Sequence, residues 1–158
     1  MTIRHIQKSD NAAIAAVIRS VLIEHNAPKT GSALEDEILD TLFEFYQAKN
    51  ALYFVVADGE KVYGGGGIAP LANGPEEVCE LQKLYFLPEI RGKGFAKAIV
   101  ENCLAFAKDC GFTSCYLETL PNMDAAQKRY LNMGFEHIDA PMGNTGHSNC
   151  PVWMLKEL

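Results

Sequence analysis

The spacing of apolar and polar positions changes period several times along the chain, and each change predicts an element. Residues 2–6 read as a short opening strand. Ser9 or Asp10 then caps a helix in which Ile14, Val17, Ile18, Val21 and Leu22 fall on one stripe. After a loop over residues 26–31, Leu34, Ile38, Leu42, Phe45 and Tyr46 repeat that spacing and predict a second helix. Residues 52–57 are a continuous apolar run, Asp58-Gly59 is a hairpin turn signal, and a strand resumes at Lys61. A turn over residues 70–75 leads to a long strand over 77–87, ended by Pro88. From Gly92 the helical period returns, with Phe95, Ile99, Cys103 and Phe106 on one side and Gly111 as the C-terminal cap. Residues 114–120 form a strand, Asn122 caps a helix ending at Gly134, and residues 135–138 and 152–156 are the last strands. The order β-α-α-β-β-β-α-β-α-β-β predicts an α/β (α+β mixed) fold: a mixed, mostly antiparallel central sheet with helices on both faces. No linker or repeat divides it, so residues 1–158 read as a single domain.

Charge narrows the function. Lys and Arg number 14 against 20 Asp and Glu, a net charge of −6. So acidic a chain is a poor general ligand for nucleic acid or an anionic membrane, and neither is expected as a partner. No apolar run reaches spanning length, and the first residues lack the apolar segment of a secretory signal, which predicts a cytoplasmic location. The five cysteines include no C-x-x-C pair and read as reduced thiols. His147-x-x-Cys150 has a metal-like spacing but no second pair, so no metal is expected. The charge is uneven: between Glu24 and Glu60 acids outnumber bases eight to two, whereas Lys83, Arg91, Lys93 and Lys97 cluster with only Glu89 among them.

That basic cluster lies in the most informative stretch, Leu84-Tyr85-Phe86-Leu87-Pro88-Glu89-Ile90-Arg91-Gly92-Lys93-Gly94-Phe95-Ala96. A strand runs into a glycine-containing turn that opens a long helix. Glycines let a ligand approach the backbone, and the free N–H groups of the first helical turn attract an anion. The chemistry points to a phosphate or pyrophosphate. A dinucleotide fingerprint is excluded, because Lys97 holds the position of its third glycine. There is no G-x-x-x-x-G-K-[ST] loop either. The run Gly64, Gly65, Gly66 and Gly67 lies inside a strand pattern and reads as a bulge or a place of close approach.

Arg91-x-x-Gly94-x-Ala96 after a strand resembles the acetyl-CoA signature Q/R-x-x-G-x-G/A of the GNAT N-acetyltransferases. Tyr130-x-x-x-Gly134-Phe135, with Ala126 before it, is similar to a second motif of that family, and the element order fits nearly the whole chain. The resemblance implies an acetyl-CoA-dependent N-acetyltransferase. Backbone amides of Arg91, Gly92, Lys93, Gly94, Phe95 and Ala96 would hold the pyrophosphate. Backbone groups of Tyr85, Phe86 and Leu87 would pair with the pantetheine arm, inserted like an extra strand where two strands splay. Ala126 belongs to the cofactor side, as does Met123, which stands where many members have asparagine.

Amine attack on a thioester needs a base, an oxyanion donor and an acid for the departing thiolate. Tyr130 takes the family's position for that acid; a phenol near pKa 10 and a thiol near 8.5 differ little. Glu80, eleven residues before Arg91, matches the offset at which some lysine-acetylating members carry a catalytic glutamate. Glu118 and Tyr116 on the next strand are alternatives, as is a water chain. The expected acceptor is a small-molecule amine, drawn as an ammonium to the acidic segment, with Glu24, His25, Asn26 and His147 at its pocket. The alternatives are a non-catalytic acyl-CoA-binding module and an enzyme acting on a protein or peptide amine. A homodimer is left open.

Overall fold

The computed structural model describes residues 1–158. Its strands are β1 (Thr2–His5), β2 (Leu52–Asp58), β3 (Lys61–Pro70), β4 (Val78–Phe86), β5 (Ser114–Thr119), β6 (Glu136–Ile138) and β7 (Val152–Glu157). They form one sheet in the order β1-β2-β3-β4-β5-β7-β6. All neighbours run antiparallel except β4 and β5. A parallel pair needs a crossover, supplied by helix α3 (Phe95–Asp109). Helix α1 (Asn11–Glu24) packs on one face of the sheet and α3 on the other. Ile14, Ile18 and Leu22 of α1 share a core with Tyr53 and Val55, while Ile99, Val100 and Cys103 of α3 pack with Val56, Ile68 and Leu117. Adjacent Val55 and Val56 enter opposite cores, as the two-residue period of a strand requires. No helix is long and apolar enough to cross a membrane.

Three local expectations are corrected. Asp10 precedes α1 without capping it. Its buried carboxylate instead grips both Arg4 guanidinium nitrogens (2.7 and 2.9 Å) and accepts from the Gln7 N–H (2.7 Å). The second helix is broken into two 3-10 turns, Ala33–Glu35 and Glu37–Thr41, and the single turn α2 (Leu42–Phe45). Asp36, between the turns, is extended (φ −64°, ψ 119°), and its side chain is pulled into a long-range ion pair with Lys83. Asn122 does not cap helix α4 (Asp124–Asn132); its amide donates to the His25 carbonyl at the end of α1.

β4 carries the functional irregularity. It pairs with β5 only from Val78 to Glu80, and beyond that the two strands part. Against β3 its register slips between Gly65 and Gly67, where Lys83 takes φ +51°. The slip is a bulge: Gln82 and Tyr85 are three residues apart, but their partners Gly67 and Gly65 are two.

Candidate active site

A cavity of about 270 Å³ occupies the opening beside β4, lined by Leu84, Tyr85 and Phe86, by Val21 and His25 of α1, and by Met123, Ala126 and Arg129 around α4. One end is the turn before α3. Gly92 (φ +73°) and Gly94 (φ +87°) hold left-handed conformations, and a Cβ on either would meet no protein atom within 4 Å. The N–H groups of residues 92–97 find no acceptor in the protein; the first bonded amide is that of Ala98, which donates to the Gly94 carbonyl. Consecutive unpaired N–H groups at a helix start form an anion cradle. Lys97, Lys128 and Arg129 line an adjoining basic groove, of which only Lys97 stood out in the sequence.

Arg91 is not a free cation there. Its Nε donates to the Phe86 carbonyl (2.8 Å), and its terminal nitrogens grip Glu24 (2.8 and 2.7 Å), holding that carboxyl below its ordinary range. The guanidinium shapes the turn, while the free amides face the anion. Leu87 needs a correction too: its N–H donates to the Tyr63 carbonyl (2.8 Å) and its carbonyl accepts from Ile90. By strand alternation Tyr85 also turns its main chain to β3, opposite Gly65, which leaves Leu84 and Phe86 facing the opening. Tyr85 contributes its side chain instead.

The acceptor-side assignment of Glu24, His25 and Asn26 is corrected as well. Glu24 is bound to Arg91 and His25 lines the cofactor cavity, with Asn26 beside it closing the last turn of α1. The acidic segment is not an open field either. Asp40 pairs with Arg19, Glu44 with Asn11 and Lys8, and Glu35 accepts the Gly31 N–H.

A different cavity, of about 430 Å³, adjoins β4 near its bulge. It is lined by Glu35, Asp36, Glu37, Glu80, Lys83 and His147 among others. A narrow space that Glu80 and His147 also line extends to Tyr85, Glu118, Met123 and Cys150. Glu80 thus stands between this cavity and the narrow space that leads to the cavity beside α1 and α4. It is 4 % exposed, and one carboxylate oxygen accepts from the Gln82 side-chain amide (2.9 Å). Burial, helped by the neighbouring Glu118 carboxylate, pushes its pKa up to about 7. Burial also raises Glu118, which accepts from the Thr145 hydroxyl. His147 lies with these acids: Glu80, Glu118 and His147 each bring a side-chain oxygen or nitrogen within 4.8 Å of the others. Asp36 holds the group in place by accepting from Lys83 (2.6 Å) and His147 (2.9 Å). Burial works against its charge, but those two partners keep its pKa below the ordinary value. No sequence signal pointed to Asp36, although Lys83 in an apolar strand was a hint.

Tyr116 is buried, its hydroxyl has no partner, and burial raises its pKa, which makes it a poor base. Tyr130 projects from α4 and is 6 % exposed, with its ring edge-on to Phe135 at 5.8 Å. Burial pushes its pKa up to about 12.

Comparison with known proteins fits this geometry. Residues 19–135 match the family model "Acetyltransferase (GNAT) family". The chain is 46% identical over 156 residues to the uncharacterized N-acetyltransferase YjgM of Escherichia coli (strain K12), covering 98% of this chain and 93% of that one. Its fold superposes on a GNAT acetyltransferase of Staphylococcus aureus Mu50 with a TM-score of 0.87 at 18% identity, over 99% and 98% of the two chains. YncA of Salmonella typhimurium, solved with its cofactor acetyl-CoA, gives 0.78 at 20% identity over 100% and 94%.

Proposed function

The chain belongs to the acetyltransferase (GNAT) family, and on that footing we propose that it moves the acetyl group of acetyl-CoA to a small primary amine within a ternary complex. One observation carries the reading: a buried carboxyl with a pKa near 7 stands between the acceptor and cofactor cavities.

The residues present fit the cofactor. The unpaired amides of residues 92–97 suit the pyrophosphate, Lys97, Lys128 and Arg129 suit further phosphate, and the main chain of Leu84 and Phe86 suits the pantetheine arm. Acetyl-CoA supplies the activated thioester. The acceptor enters as an ammonium, and Glu80 and Glu118 are the carboxylates that receive it. Glu80 removes one proton from the ammonium, and the neutral nitrogen forms a bond to the thioester carbon. As the C–S bond breaks, the second nitrogen proton passes to the departing sulfur, so that amide and free thiol are left and Glu80 returns its proton to solvent. The departing thiolate takes a hydrogen bond from Tyr130. A carboxyl near pKa 7 is matched to this task, because it is ionised about half the time at neutral pH yet basic enough to accept a proton.

Cys150 lines the same space and raises the question of an acyl-cysteine intermediate. Burial, with Glu118, Asp36 and Glu80 adding to it, pushes that thiol up to about 11. A neutral thiol is a poor nucleophile, which favours direct attack by the amine. An acceptor cavity of about 430 Å³ suits a small molecule. The test is thiol release from acetyl-CoA with amino acids, polyamines, aminoglycosides and short peptides, with acceptor-free controls for the protein's own thiols. Release with none of them would count against the transfer.

A further inference from the structure

The glycine run of β3 is the sequence feature to which acetyl transfer gives no role. Gly65 and Gly67 point to the α1 side of the sheet. A Cβ on Gly65 would lie 2.6 Å from Cε1 of Tyr53. One on Gly67 would lie 2.5 Å from Cδ2 of Tyr53 and 3.0 Å from Cε1 of Tyr46. A Cβ would clash outright with the Tyr53 ring and crowd that of Tyr46, so the two rings rest on bare backbone. Both are buried, and their rings pack 5.0 Å apart at 43°.

Lying across β3, the rings carry their hydroxyls to β4. Tyr53 donates to the Lys83 carbonyl (2.8 Å) at the bulge. Tyr46 donates to the Gln82 side-chain oxygen (2.7 Å). The Gln82 amide is thereby turned so that its nitrogen, rather than its oxygen, meets the Glu80 carboxylate (2.9 Å). An amide nitrogen is a donor and supports the ionised carboxylate; the oxygen would repel it. Burial raises Tyr46 well above its ordinary value, so its hydroxyl keeps its proton at working pH.

We propose that Tyr46 and Gln82 are positioning residues for Glu80, and that Gly65 and Gly67 let Tyr46 and Tyr53 lie flat enough to reach β4. The chain of contacts runs Gly67, Tyr46, Gln82, Glu80, from a bare strand to the proton acceptor. It rests on the reading of Glu80 as the base, but its geometry is independent of the acceptor. Without Tyr46's hydroxyl, Gln82 is free to flip and accept from a protonated Glu80, which disfavours the ionised form.

The test is a carboxyl titration of the whole protein, labelled with ¹³C at the glutamate side-chain carboxyl carbon and assigned through Glu80→Gln. Gln82→Leu is expected to raise the Glu80 midpoint by about one pH unit, the size of one lost hydrogen bond to a charged group. Tyr46→Phe should move it in the same direction by a smaller amount. Tyr53→Phe removes a similarly buried hydroxyl that does not touch Gln82 and should leave the midpoint in place. A midpoint unmoved by Gln82→Leu and Tyr46→Phe overturns the proposal. So does an equal rise in Tyr53→Phe, because the effect would then be general loosening. The base reading is tested apart: if Glu80→Gln retains full turnover, that reading fails even where the titrations come out as expected.

Discussion

Tyr130 and Glu80 both have pKa values raised by burial, with opposite consequences. The rise to about 12 keeps the Tyr130 hydroxyl protonated throughout the working range. Full proton transfer to a thiolate of pKa about 8.5 would then run uphill by about 3.5 pK units. The small mismatch expected from the sequence is therefore corrected, and the role proposed for Tyr130 is that of a hydrogen-bond donor to the sulfur as charge develops. Tyr130→Phe should lower turnover by about 10²-fold, the low end for an acid catalyst, with acetyl-CoA affinity little changed. Because the ring keeps its packing against Phe135, the variant should melt close to the parent. Unchanged single-turnover rates would remove Tyr130 from the chemistry.

The turn before α3 was legible in the sequence because its signal is local. Two glycines, a strand before them and a helix after them lie within a few residues. Gly94 tests that element. Gly94→Ala should weaken acetyl-CoA binding by about tenfold or more, since the added carbon enters space left for the ligand. Gly111 supplies the control, with φ +90° and open space at the far end of the same helix. Gly111→Ala carries the same backbone strain and should leave affinity, read by calorimetry, unchanged. Equal losses in both variants would mean that only strain is being measured. The surroundings of Glu80 were hidden because they are made of long-range pairs: Asp36 with Lys83, Asp36 with His147, and Tyr46 with Gln82. Hydrophobic spacing does not report which charges meet. The same pairing broke the second helix at Asp36 and turned Glu24 from an expected acceptor residue into Arg91's partner.

The sheet as a whole holds its strained parts together, and this should be visible in its pH stability. Glu80 has its pKa raised from 4.5 to about 7 on folding. The folded protein therefore favours the protonated form. Glu80's contribution is fully present below about pH 4.5 and is lost as pH rises through 7. Asp10 and Asp36 have depressed values; their contribution is present above the ordinary carboxylate range and is lost on acidification. Relative to the parent, Glu80→Gln should gain about 3 kcal/mol in urea unfolding between pH 4.5 and pH 8. A difference that stays constant with pH would contradict the burial cost assigned to Glu80. Across the molecule, β4 and β5 part beside the cavity proposed for the cofactor, and Glu80 of β4 lines the cavity proposed for the acceptor. The most direct test of that arrangement is the pH dependence of kcat/KM for the best amine found, compared between the parent and Glu80→Gln. Two acceptors of different amine pKa separate the enzyme's ionisation from the substrate's. The parent should show an acid limb near pH 7 that stays put when the amine is changed. Glu80→Gln should lose that limb, and about 10²–10⁴-fold of the rate with it. A Glu80→Gln enzyme that keeps both the rate and the limb would show that the proton leaves by another route.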